Sequence, residues 1–357
     1  MYHTIEISAK CSKGVFYTFF CKNNLPVPAK KTWSTKKYSR IGFNLIRLSV
    51  CFDRFNTAGY TKITIQMNPS KLLGRERMEI ADGTETEEVY GAFHELLEQI
   101  YLGLPNTLEE YRLERIDYAY DLQLDRINTA VGNMPWLYID LLKKGMIPNG
   151  YKSYTKADSS SLYYGRKSKT QGKNIAAINL YYKLPQIMGT FEQFPTEASS
   201  VYHRTKQLIR CEVQCSNGRL RNYSNAHKEK ELKRELLYWA QPEIAQSTIT
   251  GAVGKIEVDA PYTTLQGAER LIEASTAQRR TKDRRKELVT SISKGSTLET
   301  WKARNKPETF RREMQWFREA GVNPVTIPVK HKINYLPSIN SLLQKAIEQE
   351  NYMGRTG

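Results

Sequence analysis

The feature that most constrains this chain is the alternation in residues 113–124, Leu-Glu-Arg-Ile-Asp-Tyr-Ala-Tyr-Asp-Leu-Gln-Leu. Side chains two apart share a face of a β-strand. Ile116, Tyr118, Tyr120 and Leu122 therefore point to one side, and Arg115, Asp117, Asp121 and Gln123 to the other. Such a strand needs a core under one face and tolerates polar chemistry on the other. Residues 43–52, 63–68, 151–155, 161–165, 175–183 and 208–215 also read as strands. Asn68-Pro69-Ser70-Lys71 reads as a turn. A helix is predicted at 86–102, with Val89, Phe93, Leu96, Leu97 and Ile100 on one face. Thr84 and Glu87 form its expected capping box and Gly103 its stop. A second helix is predicted around 134–144. Beyond residue 220 the pattern turns helical, at 223–240, 264–290 and 297–320. The expected fold class is α+β: an antiparallel-sheet catalytic domain over 1–220, then a helical region over 221–357.

Phase decides which polar groups can meet. In 175–183, Asn179, Tyr181 and Lys183 share one side, and Ile178, Leu180 and Tyr182 the other. In 208–215, Arg210, Glu212 and Gln214 oppose Ile209, Cys211, Val213 and Cys215. Paired strands bring such groups within bonding range. Converging carboxylates call for a cation, and Asp117, Glu212 and Asp121 are the expected oxygen ligands of Mg²⁺ or Mn²⁺. A metal of this kind polarises a phosphate. A phenol ionises near pH 10, so Tyr181 needs a neighbouring cation, Lys183 or the metal, to become a nucleophile. The plainer reading of the same strands is a solvated sheet face with cross-strand ion pairs.

The charge balance favours a polyanionic partner. Lys and Arg number 54 against 37 Asp and Glu, a net charge of +17, which attracts phosphate backbones and makes association salt-sensitive. No run of about 18 apolar residues is present, so no spanning helix is expected. The first residues lack the basic-then-apolar layout of a secretory signal. The five cysteines (Cys11, Cys21, Cys51, Cys211, Cys215) show no zinc-ligand spacing and read as reduced thiols in a cytoplasm.

Five segments, in order, resemble the trans-acting Rep proteins of Gram-positive plasmids and the gene II initiators of filamentous phages. These are Ile65-Gln-Met-Asn-Pro-Ser-Lys-Leu72, Arg115-Ile-Asp-Tyr-Ala-Tyr-Asp121, Tyr163-Tyr-Gly-Arg-Lys-Ser168, Asn179-Leu-Tyr-Tyr-Lys183 and Leu208-Ile-Arg-Cys-Glu212. The resemblance covers about 45–215. It implies a rolling-circle replication initiator of the bacterial cytoplasm, whose tyrosine attacks an origin phosphate. A covalent 5′-phosphotyrosyl link forms, a 3′-OH is freed for the host polymerase, and a later reversal closes the displaced strand. Host helicase and single-strand binding protein are the implied partners. Alignment on the motif puts the nucleophile at Tyr181, the tyrosine that strand phase also selects. The His-hydrophobic-His metal pair of better-known rolling-circle enzymes is absent from the five histidines, which leaves ligation to carboxylates. The Tyr163–Ser168 segment is one residue shorter than the plasmid pattern.

Residues 297–320 read as a helix-turn-helix: a short helix around Leu298 and Trp301, a break at Asn305–Pro307, and a second helix ending at Gly321. Phe310, Met314 and Phe317 are expected inward, with Arg311, Arg312, Gln315 and Arg318 facing a major groove. Between 279 and 286 six basic residues face one acidic residue; Arg279, Arg280, Arg284 and Arg285 are expected backbone contacts. Arg115, Arg166, Lys167 and Arg210 complete the expected DNA contacts. Competing readings are a conjugative relaxase of the same fold, a DNA-binding regulator without chemistry, and an RNA-binding protein.

Overall fold

A computed structural model describes residues 1–53, 56–75, 79–124, 134–156, 159–166, 176–188, 198–226 and 235–356. The fold is mixed α+β, with helices predominating toward the C-terminus. Among the described residues, nine strands form one large antiparallel sheet. They are β1 (Tyr2–Ser12), β2 (Thr32–Thr35), β3 (Phe43–Asp53), β4 (Asn56–Met67), β5 (Arg112–Gln123), β6 (Tyr151–Ser153), β7 (Ser161–Arg166), β8 (Ala177–Tyr182) and β9 (Leu208–Ser216). Their order is β2-β3-β4-β1-β5-β9-β8-β7-β6. By packing, the chain divides into two units: Met1–Tyr120 with Lys173–Ala176 and Val213–Ser247, and Asp121–Gly172 with Ala177–Glu212 and Thr248–Gly357. This division differs from a linear boundary at residue 220.

In the first unit, antiparallel register lines up apolar rows. Ile7 and Ile46 both pair with Ile65, and Ala9 and Leu48 both pair with Ile63. All six are buried. The helices Lys13–Lys22 and Thr86–Ile100 supply Phe16, Phe19, Phe20, Val89, Phe93 and Leu97 to the core, with Phe43 and Phe93 rings 5.9 Å apart. Each such side chain contributes about 1.5–3 kcal/mol of burial. The opposite face, with Lys10, Lys62 and Arg47, is exposed. The helix over 86–100 forms as expected, and Gly103 stops it at φ +88°. The expected Thr84–Glu87 box does not cap it; the capping box present, Asp82 with Glu85, closes the 3-10 turn Gly83–Glu85 that leads into the helix. Asp82 accepts from the Thr84 amide at 2.7 Å, and Glu85 accepts from the Asp82 amide at 3.0 Å. The turn at Asn68 is the N-cap of a short helix, Pro69–Leu72, in which the Asn68 side chain accepts from the Lys71 amide.

In the second unit, β6, β7 and β8 pair antiparallel, with Leu162 opposite Leu180 and Tyr163 opposite Asn179. The helix Met134–Lys143 covers the Ile178–Leu180–Tyr182 face, with Trp136 and Tyr182 rings 6.1 Å apart. The expected helix over 264–290 is two helices, Leu265–Ala274 and Arg279–Ser293, separated at Ser275–Gln278. Part of the expected 223–240 helix lies outside the described residues. Helices Leu298–Arg304 and Pro307–Glu319 form as expected, with Pro307 in the first turn.

A buried acid anchors the C-terminal helix Ile339–Thr356. Glu257 accepts from the Asn340 amide and from Tyr262 Oη, each at 2.6 Å, and burial pushes its carboxyl up to about 7. The folded chain therefore takes up a proton below about pH 7, whereas an unfolded glutamate does so only near 4.5. Between those values the folded state binds more protons, so acidification stabilises it; above pH 7 the full penalty of a buried charge is present. Stability should rise by up to about 3 kcal/mol from this group between pH 7 and 4.5. Urea midpoints of Glu257→Gln against wild type at pH 5 and pH 8 should show that slope removed. An unchanged slope in the variant would exclude Glu257 as its source.

Candidate active site

Three adjacent strands, β5, β9 and β8, supply Asp121, Arg210, Glu212 and Tyr181. All four belong to the second unit, as does Lys183. Tyr181 Oη donates to Glu212 Oε1 at 2.5 Å. Lys183 Nζ lies 3.5 Å from Tyr181 Oη and donates to Gln186 Oε1 at 2.9 Å. Arg210 grips Asp121 in a two-pronged pair, Nε to Oδ1 at 2.5 Å and NH2 to Oδ2 at 2.6 Å. Planar guanidinium and carboxylate groups match in this geometry, which fixes both side chains.

The cluster is dry. Arg210 is 0% exposed, Tyr181 4% and Lys183 5%. Burial, with Arg210 adding to it, pushes the Lys183 ammonium down to about 8, so roughly nine-tenths of it is charged at pH 7. Burial and the adjacent Glu212 carboxylate push the Tyr181 phenol far above its ordinary value, with Arg210 pulling the other way. Burial opposes the Arg210 charge, but the hydrogen bonds and charge of Asp121 override it and hold the guanidinium protonated. Buried groups displaced in opposite senses by one another are typical of working sites, although structural ion networks share the trait.

Strand phase therefore placed Tyr181, Glu212 and Arg210 together, and Lys183 beside them by a different route. The strand ends at Tyr182, and Lys183 opens the helix Lys183–Met188. Gln186, one helical turn on, lies beyond the 175–183 segment read as a strand, and no pattern there marked it. Tyr182 lies on the core side as expected, its Oη donating to the Lys206 carbonyl at 3.0 Å.

The three carboxylates expected to hold a metal are not gathered in one group. Asp117 is buried and held by Arg115, Nε to Oδ1 at 2.8 Å and NH2 to Oδ2 at 2.5 Å. Burial pushes its carboxyl up against the opposing pull of Arg115 and Gln214. Asp117 and Asp121 are four residues apart on one strand, about 13 Å, too far to share an ion whose ligand bonds are about 2.0–2.6 Å. Among the described residues no three His, Cys, Asp or Glu side chains are grouped to hold a metal.

Two of the arginines expected to contact DNA are buried. Arg210 is enclosed and serves Asp121. Arg285 is buried, donates to Glu313 at 2.7 Å and lies 3.7 Å from the Trp316 ring centroid. Arg284 is partly exposed and also donates to Glu313. Glu313 itself escaped notice, although an acid between Phe310 and Met314 on the apolar helix face was a readable anomaly. Arg279, Arg280, Arg311, Arg312 and Gln315 are exposed, Gln315 donating to Glu319 at 2.8 Å. Arg115 is half-buried on Asp117. The Arg166 side chain and all of Lys167 lie outside the described residues.

Compared with known proteins, the chain matches no family profile, no curated sequence and no solved structure. No described helix is long and apolar enough to cross a membrane.

Proposed function

We propose that the chain nicks and rejoins DNA as a rolling-circle replication initiator, with Tyr181 as nucleophile. The observation that carries this reading is the Tyr181–Glu212 hydrogen bond beside Lys183. A tyrosine attacks phosphorus only as it loses its proton, and Glu212 stands where that proton must go. As the Oη–P bond forms, the bond from phosphorus to the 3′-oxygen breaks. The Lys183 ammonium stabilises charge on the phosphoryl oxygens and supplies a proton to the departing 3′-oxygen. Asp121 positions Arg210, whose charge favours the phenolate. Tyr181 is nearly enclosed, so a phosphodiester reaches it only when the groups over it move.

Two further features support DNA as substrate. The net charge is +17, and helix Pro307–Glu319 exposes Arg311, Arg312, Gln315 and Arg318 along one face, the layout of a groove-reading helix. The resemblance in five ordered segments extends the reading to origin DNA, with host helicase, polymerase and single-strand binding protein as partners and the bacterial cytoplasm as the place of action.

Incubation with supercoiled replicon DNA and a divalent cation, followed by digestion and mass spectrometry, should yield a nucleotide-bearing peptide containing Tyr181. An adduct on another tyrosine would remove Tyr181 from the mechanism. The pairing of Arg210 with Asp121 and of Tyr181 with Glu212 favours one alternative, a DNA-binding regulator whose cluster is purely structural. Origin binding without any nick or adduct would select that alternative.

A further inference from the structure

The hairpin at the β6 edge of the sheet carries a second feature. Tyr154 and Tyr163 are 51% and 38% exposed, with ring centroids 5.9 Å apart. Their backbones are pinned: the Tyr154 amide donates to the Tyr163 carbonyl at 2.9 Å, and the Tyr163 amide to Thr155 Oγ1 at 2.8 Å. Lys152 Nζ stands 5.5 Å from the Tyr154 ring centroid. Gly165 lies under that ring, where a Cβ would come within 3.0 Å of it. A side chain there would lift the ring off the strand.

Register decides which face these groups occupy. Lys152 pairs with Gly165, Tyr163 with Asn179, and Ser161 with Tyr181. Directly opposed residues share a face, so Lys152, Tyr163, Asn179, Ser161 and Tyr181 all project from one side of the second unit's strands. Tyr154, two residues from Lys152, joins them. The opposite face is the one that helix Met134–Lys143 covers. From Tyr163 to Tyr181 is one strand across and two residues along, roughly 8 Å between backbones. Exposure falls along this path from the tyrosine pair, through half-buried Asn179 and Ser161, to enclosed Tyr181.

We propose that Tyr154 and Tyr163, with Lys152, form a stacking platform for single-stranded DNA that lays the strand to be cut along the sheet toward Tyr181. Exposed, pre-positioned rings next to a cation are what unpaired bases and their phosphates need. A paired duplex hides its base faces and could not use them. The choice of DNA, and the delivery to Tyr181, rest on the nicking reading.

The test uses the full chain carrying Tyr181→Phe, so that no strand is cut, and a fluorescent mixed-sequence 12-nucleotide DNA read by anisotropy at fixed salt. Tyr154→Ala and Tyr163→Ala should each weaken binding roughly 5- to 100-fold, with the salt slope unchanged. Tyr154→Phe and Tyr163→Phe, which keep the rings, should bind like the parent. Lys152→Gln should lower the salt slope by about one phosphate contact. Parent-like binding by both alanine variants, or tighter binding of RNA of the same sequence, would overturn the platform. Adduct formation by the wild type is scored separately. Adduct with unimpaired alanine variants keeps the nicking reading and discards the platform. Ring-dependent binding without adduct does the reverse.

Discussion

Tyr181→Phe should abolish strand cleavage, by at least about 10³-fold, while leaving origin binding and the folded state intact. The phenylalanine ring keeps the packed position and removes only the oxygen that would bond to phosphorus. Loss of the attacking atom leaves whatever background the rest of the site can sustain, and such losses commonly exceed three orders of magnitude. Tyr182→Phe is the matched control. It deletes an adjacent hydroxyl whose bond to the Lys206 carbonyl is worth about 1 kcal/mol of stability and faces the core. Glu212→Gln separates chemistry from packing: the amide still accepts from Tyr181 but cannot hold its proton, so cleavage should fall by about 10²–10⁴-fold. Nicking of supercoiled DNA on gels, with binding measured by anisotropy, reads all three. Full cleavage by Tyr181→Phe would end its candidacy as nucleophile.

The constituents of this site were readable because strand phase is a two-residue code and the segments at 113–124, 175–183 and 208–215 alternate cleanly. What phase could not supply is what lies over the polar side. Arg210, Tyr181 and Asp117 were placed on the face opposite the core, and all three are buried there as well. A period of two names a side and says nothing of its cover, so the expected phosphate contact became an internal partner of Asp121. Other gaps have equally local causes. The segment Tyr2–Ser12 alternates Ile5, Ile7 and Ala9, yet its role between β4 and β5 comes only from long-range pairing. Asp82-Gly-Thr-Glu85 and Thr84-Glu-Thr-Glu87 fit one capping template equally, and only the backbone chooses between them. The paired arginines at 284 and 285 read as surface charge until Glu313, on another helix, is set against them.

Arg210→Met should destabilise the fold by about 3–5 kcal/mol, the loss expected when one member of a buried ion pair is removed. Methionine fills much of the volume, so the cost is mainly electrostatic. Asp121, whose side chain is 26% exposed, would lose a two-pronged partner, and Glu212 and Tyr181 would lose a nearby positive charge. Lys183 would move the other way. Arg210 is one cause of its depressed ionisation, so the ammonium should hold its proton to higher pH in the variant. Asp121→Asn alone leaves a buried guanidinium with a weaker acceptor and should also be costly. The double variant Arg210→Met/Asp121→Asn removes both charges together and should recover part of the loss, giving a coupling of about 1–3 kcal/mol. Denaturant midpoints of the four proteins close the cycle. Additive costs would mean that the pair contributes through packing alone; strong coupling would identify it as the frame that holds charge of the right sign beside Tyr181.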